Sequence, residues 1–180
     1  MRGDEGTLVE AALNGDVASL DALLARYQGK VTSMVRSLLG NTHDAEDACQ
    51  ESLLAASQSL DKLQDKEKFG SWLLGIAYRK AKDLQRKQAR ERNARDAIPA
   101  PEMQLAPVDR TDLNLTIFEV LSDLPEDQRV VLHLRYHGGL SYNEIAKLMS
   151  VPVSTIRGAI YRGTKSLREA LKASFENQGS

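Results

Sequence analysis

The most chemically informative stretch of the sequence is residues 138–162, near the C-terminal end. Ser141 and Glu144 stand three positions apart, as in the capping box that begins a helix, and this helix is expected to cover residues 142–149. Pro152 then stands where a second helix would begin. Two short helices across such a tight turn match the helix-turn-helix, whose second helix places polar side chains in the major groove of duplex DNA.

The second of these helices has separate apolar and polar faces. The apolar residues recur at helical spacing and are predicted to face inward: Ile156, Ala159, Ile160 and Leu167. The residues expected to face outward are Ser154, Thr155, Arg157, Gly158, Tyr161, Arg162 and Lys165. Hydroxyl and guanidinium groups can donate hydrogen bonds to base edges, and cations pair with phosphates. The outward face is therefore predicted to contact DNA.

The sequence of 180 residues is nearly neutral, with 24 Lys and Arg against 25 Asp and Glu, but its charges are separated along the chain. Residues 41–51 carry four acids and no Lys or Arg. Residues 79–95 carry eight cations and two acids, and residues 157–172 carry five cations and one acid. This sorting predicts one negative and two positive surfaces, although any single charged run is more often a solvated helix face.

The composition disfavours several classes of protein. No apolar run approaches the roughly 20 residues of a membrane-spanning helix, and the acidic N-terminus lacks a signal-peptide segment, so we expect a cytoplasmic protein without membrane insertion. One cysteine, Cys49, and three histidines offer no disulfide and no zinc-like spacing. His133 and His137 lie one turn apart without a third ligand, so we expect no metal and no cofactor. No nucleophile, base and orienting group converge in a motif, which disfavours an enzyme with a small-molecule substrate.

Hydrophobic spacing predicts an all-α protein. Residues 8–39 are expected to form two or three helices, separated at Gly29 and Gly40. A further helix, with Asn41 or Thr42 as its N-cap, is expected to cover residues 41–63. A polar loop at residues 64–68 then precedes a long helix that becomes steadily more basic.

A linker is predicted at residues 96–112, which hold three of the five prolines and no helical pattern. It would join an N-terminal helical domain, residues 1–95, to a C-terminal helix-turn-helix domain, residues 113–180. The C-terminal domain is expected to begin with two helices that separate at Leu124, with Pro125 as the first residue of the second.

In its motifs the chain resembles the extracytoplasmic function (ECF) group of sigma factors, in the sigma-70 family of bacterial RNA polymerase subunits. The stretch "DAEDACQE" resembles the acidic helix of that family, and "FGSWLLGIA" resembles a later helix of the same domain. The stretch "LPEDQRVVLHLRYHGGLSYNEIAKLMSVPVST" resembles the second domain. Both patterns occur in the order of the family, on the two sides of the predicted linker, so the resemblance covers nearly the whole chain.

The resemblance implies a transcription initiation subunit that binds core RNA polymerase, directs it to promoter DNA and helps to open the duplex. It also implies an anti-sigma factor as a partner. The residues implied to bind the polymerase clamp are Asp44, Asp47, Gln50 and Glu51. Those implied to hold the unwound downstream promoter element are Lys66, Lys68, Phe69, Trp72, Tyr78, Arg79, Lys82 and Arg86.

The helix at residues 153–168 is implied to bind the upstream promoter element. On this helix Arg157, Tyr161 and Arg162 would contact base edges or phosphates, and Thr155 and Lys165 would contact the DNA backbone.

Some positions depart from the family pattern. Arg79 stands where many members have asparagine, which leaves the downstream base preference open. Gly158 and Ala159 stand where serine and arginine are common, and Gly163 adds another glycine to the same helix. Each interior glycine costs a helix roughly 0.5 to 1 kcal/mol relative to alanine.

Two other functions stay open at this point. One is a helix-turn-helix regulator that binds duplex DNA without binding core polymerase, usually as a dimer on a two-fold site. The other is a helical adaptor that binds only protein. Trp72 is also more often a core residue than a base-stacking one, and Cys49 is expected to be a small buried hydrophobe.

Overall fold

The computed structural model describes residues 3–94, 121 and 123–178. Every regular element among these residues is helical and none is a strand, which confirms the predicted all-α fold. The chain divides into two compact units, unit 1 at residues 1–104 and unit 2 at residues 105–180. The predicted linker at residues 96–112 lies outside the described residues, so the domain boundaries at its two ends stay predictions.

Unit 1 contains four α-helices and two short 3₁₀ turns in its described part. The helices are α1 (Gly3–Leu13), α2 (Val17–Leu39), α3 (Thr42–Gln58) and α4 (Phe69–Ala94), and the 3₁₀ turns are Leu60–Lys62 and Lys66–Lys68. The central helix is α2, which contacts α1, α3 and α4. Its buried face has helical spacing and includes Leu23, Tyr27, Val31 and Val35.

The two glycines predicted to separate helices have different roles. Gly40 ends α2 in the left-handed conformation, with φ 67°, and donates its N–H to the carbonyl of Arg36, so this predicted break is confirmed. The break predicted at Gly29 is wrong, because α2 continues through this residue. Gly29 is exposed, and a Cβ added there would meet no atom within 4 Å. The packing of α2 against three neighbouring helices outweighs the low helix propensity of one glycine.

Helix α3 has the predicted start but an earlier end. Asn41 is its N-cap and accepts a hydrogen bond from the N–H of His43. The helix ends at Gln58 rather than near Leu63, and a 3₁₀ turn follows. Leu60 on this turn and Leu63 directly after it are buried in the core of unit 1.

The described part of unit 2 contains three α-helices and one π-helical turn. The helices are α5 (Glu126–Leu132), α6 (Tyr142–Met149) and α7 (Val153–Gln178), and the π turn is His133–His137. Pro125 is the N-cap of α5 rather than its first residue, and its carbonyl accepts from the N–H groups of Gln128 and Arg129. The helix expected before Leu124 lies largely outside the described residues.

Helix α7 packs against α5 and α6 along its buried side. Ile156, Ala159 and Ile160 are buried there, as their spacing predicts. Gly163 is buried as well, and a Cβ on it would lie 3.0 Å from Cδ1 of Leu132. Gly163 therefore allows α7 to approach α5 closely, a packing role that outweighs its cost in helix propensity.

Candidate nucleic-acid and protein interfaces

The outward face of α7 has the orientation that the sequence predicts. Ser154, Thr155, Arg157, Tyr161, Arg162 and Lys165 are exposed, and Gly158 is half-buried. Tyr161 has 71% of its surface exposed, far more than a core tyrosine. This face presents hydroxyl, phenol and cationic groups together, which is the set of donors that binds base edges and phosphates.

Helix α6 and the turn after it hold α7 in place. Ser141 accepts from the N–H of Glu144 at 3.2 Å, and Glu144 accepts from the N–H of Ser141 at 2.8 Å, so the predicted capping box is confirmed. Ser150 adopts the left-handed conformation, with φ 57°, at the turn. The carbonyl of Pro152 then accepts from the N–H of Thr155 and so begins α7.

An open groove of about 600 Å³ runs along α7. Its lining side chains are largely cationic or aromatic and include Tyr142, Arg157, Tyr161, Lys165, Arg168 and Lys172. The sequence reading did not include Tyr142, Arg168 or Lys172 among the site residues. The signal was nevertheless present, because positions 157, 161, 165, 168 and 172 follow the three- and four-residue spacing of one helix face.

Two features modify the charge of this groove. Glu169 also lines it and lies 3.8 Å from the ammonium of Lys165, so part of the positive charge is balanced. The guanidinium of Arg135 lies 5.1 Å from the centre of the Tyr142 ring and donates to the carbonyl of Leu140. Arg135 thereby fixes the ring of Tyr142 at the edge of the groove.

On α3, the exposed acidic face is narrower than the sequence predicts. Asp47, Gln50 and Glu51 are exposed, and Leu54, one turn after Gln50, has 58% of its surface exposed. Because these residues are three or four positions apart, they form one stripe that combines charge with an apolar side chain. The sequence reading missed Leu54, although its i+4 spacing from Gln50 was visible.

Asp44 has a different environment from the other acidic residues of α3. It is half-buried, and its carboxylate accepts from Nε2 of Gln88 at 2.6 Å and from Nδ2 of Asn41 at 3.1 Å. These hydrogen bonds tie the start of α3 to α4. Its oxygens are thus used within unit 1, as are those of Glu51, which lies 3.1 Å from the ammonium of Lys80. The role of Asp44 in polymerase binding stays a prediction.

The predicted basic face of α4 is present but partly paired. Arg79 and Arg86 are exposed, and Lys82 is half-buried. Arg86 lies 2.6 Å from the carboxylate of Asp83 on the same helix, and Lys82 donates to Oε1 of Gln85 at 2.6 Å. Exposed pairs of this kind contribute little energy and can exchange partners readily.

Two aromatic residues predicted to contact DNA are core residues instead. Phe69 is fully buried, with its ring 5.7 Å from the ring of Tyr27 in an edge-to-face arrangement. Tyr78 is 8% exposed. Neither ring offers a face to a base in this packing. The DNA-binding roles of Phe69 and Tyr78 stay predictions, which this burial does not favour. Trp72 is half-buried, and its ring centre lies 6.0 Å from that of Phe69. The buried part of Trp72 therefore has the core role that the sequence offers as an alternative to base stacking.

The loop before α4 is held by contacts with α1. Lys66 is half-buried and lies 3.3 Å from the carboxylate of Glu10, whereas Lys68 is exposed. Glu5 accepts from the hydroxyl of Tyr27 and from the N–H of Gly70. Burial first, and then this hydrogen bond from Tyr27 to Glu5, raise the pKa of Tyr27 above its usual value, so the phenol stays protonated and donates.

The other titratable and metal-ligand residues of the described part of the chain are dispersed or buried. No group of three metal-ligand residues occurs among the described residues. His133 is buried, and its Nδ1 has no hydrogen-bond partner. The Cys49 thiol is buried 3.2 Å from Oγ1 of Thr32, and this burial raises its pKa. No helix among the described residues is long and apolar enough to cross a membrane.

Comparison with known proteins matches both units to one family. Residues 23–91 match the model of sigma-70 region 2, and residues 115–167 match the model of sigma-70 region 4. The chain is 30% identical to the RNA polymerase sigma-H factor of Pseudomonas aeruginosa, over 92% of each protein. It is 34% identical to the ECF RNA polymerase sigma-E factor of Salmonella typhimurium, over 89% of this chain and 90% of that factor.

Solved structures give the same result. The chain matches the sigma factor RpoE of Bartonella quintana, solved with the anti-sigma factor NepR, with a TM-score of 0.73 and 25% identity. This match covers 87% of this chain and 98% of RpoE. A second match is CnrH, solved with the cytosolic domain of CnrY, with a TM-score of 0.61, 25% identity and coverage of 94% and 98%. The chain belongs to the ECF sigma factors of the sigma-70 family.

This result does not favour the regulator that binds DNA without core polymerase. Such a regulator needs only the helix-turn-helix of unit 2, whereas residues 23–91 of unit 1 match sigma-70 region 2.

Proposed function

We propose that this protein initiates transcription by binding core RNA polymerase through α3 and promoter DNA through α4 and α7. The observation that carries the proposal is the exposed face of α7, where Arg157, Tyr161 and Arg162 project from a helix fixed by the capped α6. A helix held in this way can enter the major groove with its N-terminal half. The upstream promoter element is the duplex that it would read.

The groove along α7 supports further contacts between this helix and DNA phosphates. Gly158 and Ala159 offer no polar side chain to a base, so sequence-specific contacts on this helix are few. Lys165, Arg168 and Lys172 continue the stripe for about 15 Å beyond Arg162, at about 1.5 Å per residue. The C-terminal part of a recognition helix commonly reaches the DNA backbone. These cations would supply affinity that does not depend on base sequence.

Unit 1 would carry the other two contacts. The α3 stripe of Asp47, Gln50, Glu51 and Leu54 would dock on core polymerase, because its charge can steer a basic partner and Leu54 can be buried in the contact. Arg79, Lys82 and Arg86 of α4, with Lys66 and Lys68, would hold the unwound downstream strand through its phosphates. Trp72 would contribute through its exposed edge.

The proposal also includes a protein partner and a location in the cell. The Bartonella relative was solved with an anti-sigma factor. By that similarity, an anti-sigma factor is proposed as a partner of this chain too. The protein would work in the cytoplasm, beside its polymerase and DNA, and as a binding subunit rather than an enzyme.

Runoff transcription on genomic fragments tests the proposal. Core polymerase alone, core with the wild-type protein, and core with the Asp47→Lys/Glu51→Lys variant are compared. We expect discrete start sites with the wild-type protein and their loss with the variant. The control variant is Asp21→Lys/Asp61→Lys, which makes the same charge change at exposed residues off the α3 stripe. No start sites with the wild-type protein, or equal loss in the control, would contradict the proposal.

A further inference from the structure

A buried carboxylate near the N-terminus has no place in the contacts proposed so far. Glu5 is only 9% exposed, although it lies in the first turns of the N-terminal helix α1. Burying an ionisable side chain is costly unless its oxygens receive hydrogen bonds. The hydrogen-bond donors to Glu5 therefore indicate its structural role.

The two oxygens of Glu5 accept from two different helices. Oε2 accepts from the hydroxyl of Tyr27 on α2, and Oε1 accepts from the N–H of Gly70 on α4, at 3.3 Å. The N–H of Gly70 is one of the first-turn groups of α4 that have no acceptor within their own helix. Glu5 thus caps α4 from another helix, and its negative charge also suits the positive end of the α4 dipole.

The neighbouring contacts leave little freedom at this junction. A Cβ on Gly70 would collide with the ring of Tyr27, so only glycine fits between this ring and the carboxylate. At Gly6, the residue after Glu5, an added Cβ would collide with the carboxylate of Glu67. Lys66 lies 3.3 Å from Glu10 of α1. Helix α1 therefore contacts residues 66–70 at three points, and Glu5 makes the most buried of them.

We propose that Glu5 is a positioning residue for the loop at residues 66–69, which carries Lys66 and Lys68 towards the unwound promoter strand. The inference rests on the proposed function of unit 1. A loop that is already ordered loses less conformational freedom when it binds, so its affinity for the strand is higher. The α3 stripe lies outside this junction, and core polymerase binding does not depend on Glu5.

Glu5→Gln is the variant that tests this inference. Its side chain has nearly the same size, but Tyr27 and Gly70 donate to different oxygens of Glu5. In glutamine one of these two positions is an NH₂ group, which donates and cannot accept. The probe is a fluorescein-labelled oligonucleotide of the non-template strand, taken from a promoter mapped by runoff transcription and bound to reconstituted holoenzyme. We expect about tenfold weaker binding of the oligonucleotide and an affinity for core polymerase within about twofold of the wild type.

Amide hydrogen exchange distinguishes local loosening at residue 70 from a loss of stability of the whole unit. In Glu5→Gln we expect faster exchange at the amide of Gly70, without faster exchange in the centre of α2. The matched control is Val35→Ala, which creates a cavity at a fully buried position of α2, remote from the loop. Val35→Ala is expected to lower stability and to leave oligonucleotide affinity unchanged in conditions where the protein is folded.

Tyr27→Phe is the second variant, in case Glu5→Gln fails to fold. It removes one donor and keeps the ring against Gly70, so we expect a smaller loss of oligonucleotide affinity, about threefold. The inference is overturned if the folded Glu5→Gln and Tyr27→Phe proteins bind the oligonucleotide as the wild type does, or if Val35→Ala loses as much affinity. A wild-type protein that binds neither core polymerase nor the oligonucleotide would overturn the proposed function itself.

Discussion

In unit 2 the start of α7 is set by contacts between residues close in sequence, whereas in unit 1 the loop before α4 is held by helices remote from it in sequence. The capping box of Ser141 and Glu144 and the turn at Ser150 precede α7 directly. By contrast, Glu5 and Gly70 are 65 positions apart. The comparison teaches that a helix-turn-helix surface follows from local rules, and that a loop surface depends on tertiary packing.

The largest expected effect on stability is at the contact of Glu5, Tyr27 and Gly70 in unit 1. Gly70→Ala would push a methyl group into the Tyr27 ring and is expected to lower the free energy of unfolding by about 3 to 4 kcal/mol. Denaturant unfolding followed by the fluorescence of Trp72, the single tryptophan, measures this change. The control is Gly29→Ala on the open side of α2, which is expected to raise stability by about 0.5 to 1 kcal/mol. Equal changes in the free energy of unfolding for the two variants would contradict the tight packing proposed at Gly70.

A pH effect of nearly the same size is expected in unit 2. Burial first, and then the nearby charges of His137 and Arg129, lower the pKa of His133 from 6.5 to about 4. Between these pH values the unfolded chain binds a proton that the folded chain does not, so stability is full above pH 6.5 and falls as the pH drops towards 4. The loss approaches about 3 kcal/mol at pH 4.

Unfolding of the wild type and of His133→Phe at pH 7 and pH 4.5 isolates this contribution. Carboxylates also titrate in this range, but they are common to both proteins, so the difference between the two pH dependences reports His133. We expect a clearly shallower loss of stability in the variant. Parallel curves would show that His133 is not the group responsible.

A smaller effect is expected where α7 packs on α5. The methyl group of Gly163→Ala would lie 3.0 Å from Leu132 and 3.3 Å from Cβ of Gln128, and we expect a net loss of about 1 kcal/mol. Gly158→Ala, on the outer side of the same helix, would approach only the flexible end of Arg162 at 3.1 Å. It is expected to gain roughly 0.5 kcal/mol through helix propensity. Thermal unfolding by circular dichroism compares the two, and a gain in Gly163→Ala would contradict the packing role of Gly163.

The smallest expected effect is on the salt dependence of upstream DNA binding. If Arg168 and Lys172 contact phosphates, then Arg168→Gln and Lys172→Gln each lower the slope of log affinity against log salt by about 0.9. Lys62→Gln, which removes an exposed charge of unit 1, serves as the control. Fluorescence anisotropy of a labelled duplex at several salt concentrations measures the slope. An unchanged slope in both groove variants would limit the DNA contact of α7 to its N-terminal half.

Much of unit 2 could be predicted from the sequence because its signals are local. The bounds of α6, the capping box and the inward and outward faces of α7 follow from residue spacing and from the preferences of Ser, Glu and Pro. The π turn at His133–His137 could not be predicted in this way. Within it Leu134 is fully buried, and its carbonyl accepts from the N–H of Leu140, six residues later.

Unit 1 shows which properties of the site residues depend on tertiary packing and cannot be predicted from the sequence. Phe69 and Tyr78 have types that suit base stacking, and only the packing of Tyr27 and the neighbouring helices shows that they are buried. Asp44 looked like the rest of its acidic run until Gln88, 44 positions later, was found to bind it. Leu54 was overlooked because an apolar side chain in an amphipathic helix is assigned to the core by default.

The contact of Glu5 with Gly70 also sets an order for folding during synthesis. Helix α1 is synthesised before α4, but one of the two hydrogen-bond donors to Glu5 belongs to a residue that is translated 65 positions later. At roughly 5 to 20 residues per second, this interval lasts on the order of 3 to 13 seconds. During that time α1 can form its own turns but cannot reach its final position. The N-terminal helix is therefore synthesised early and docked late, after the start of α4 has emerged.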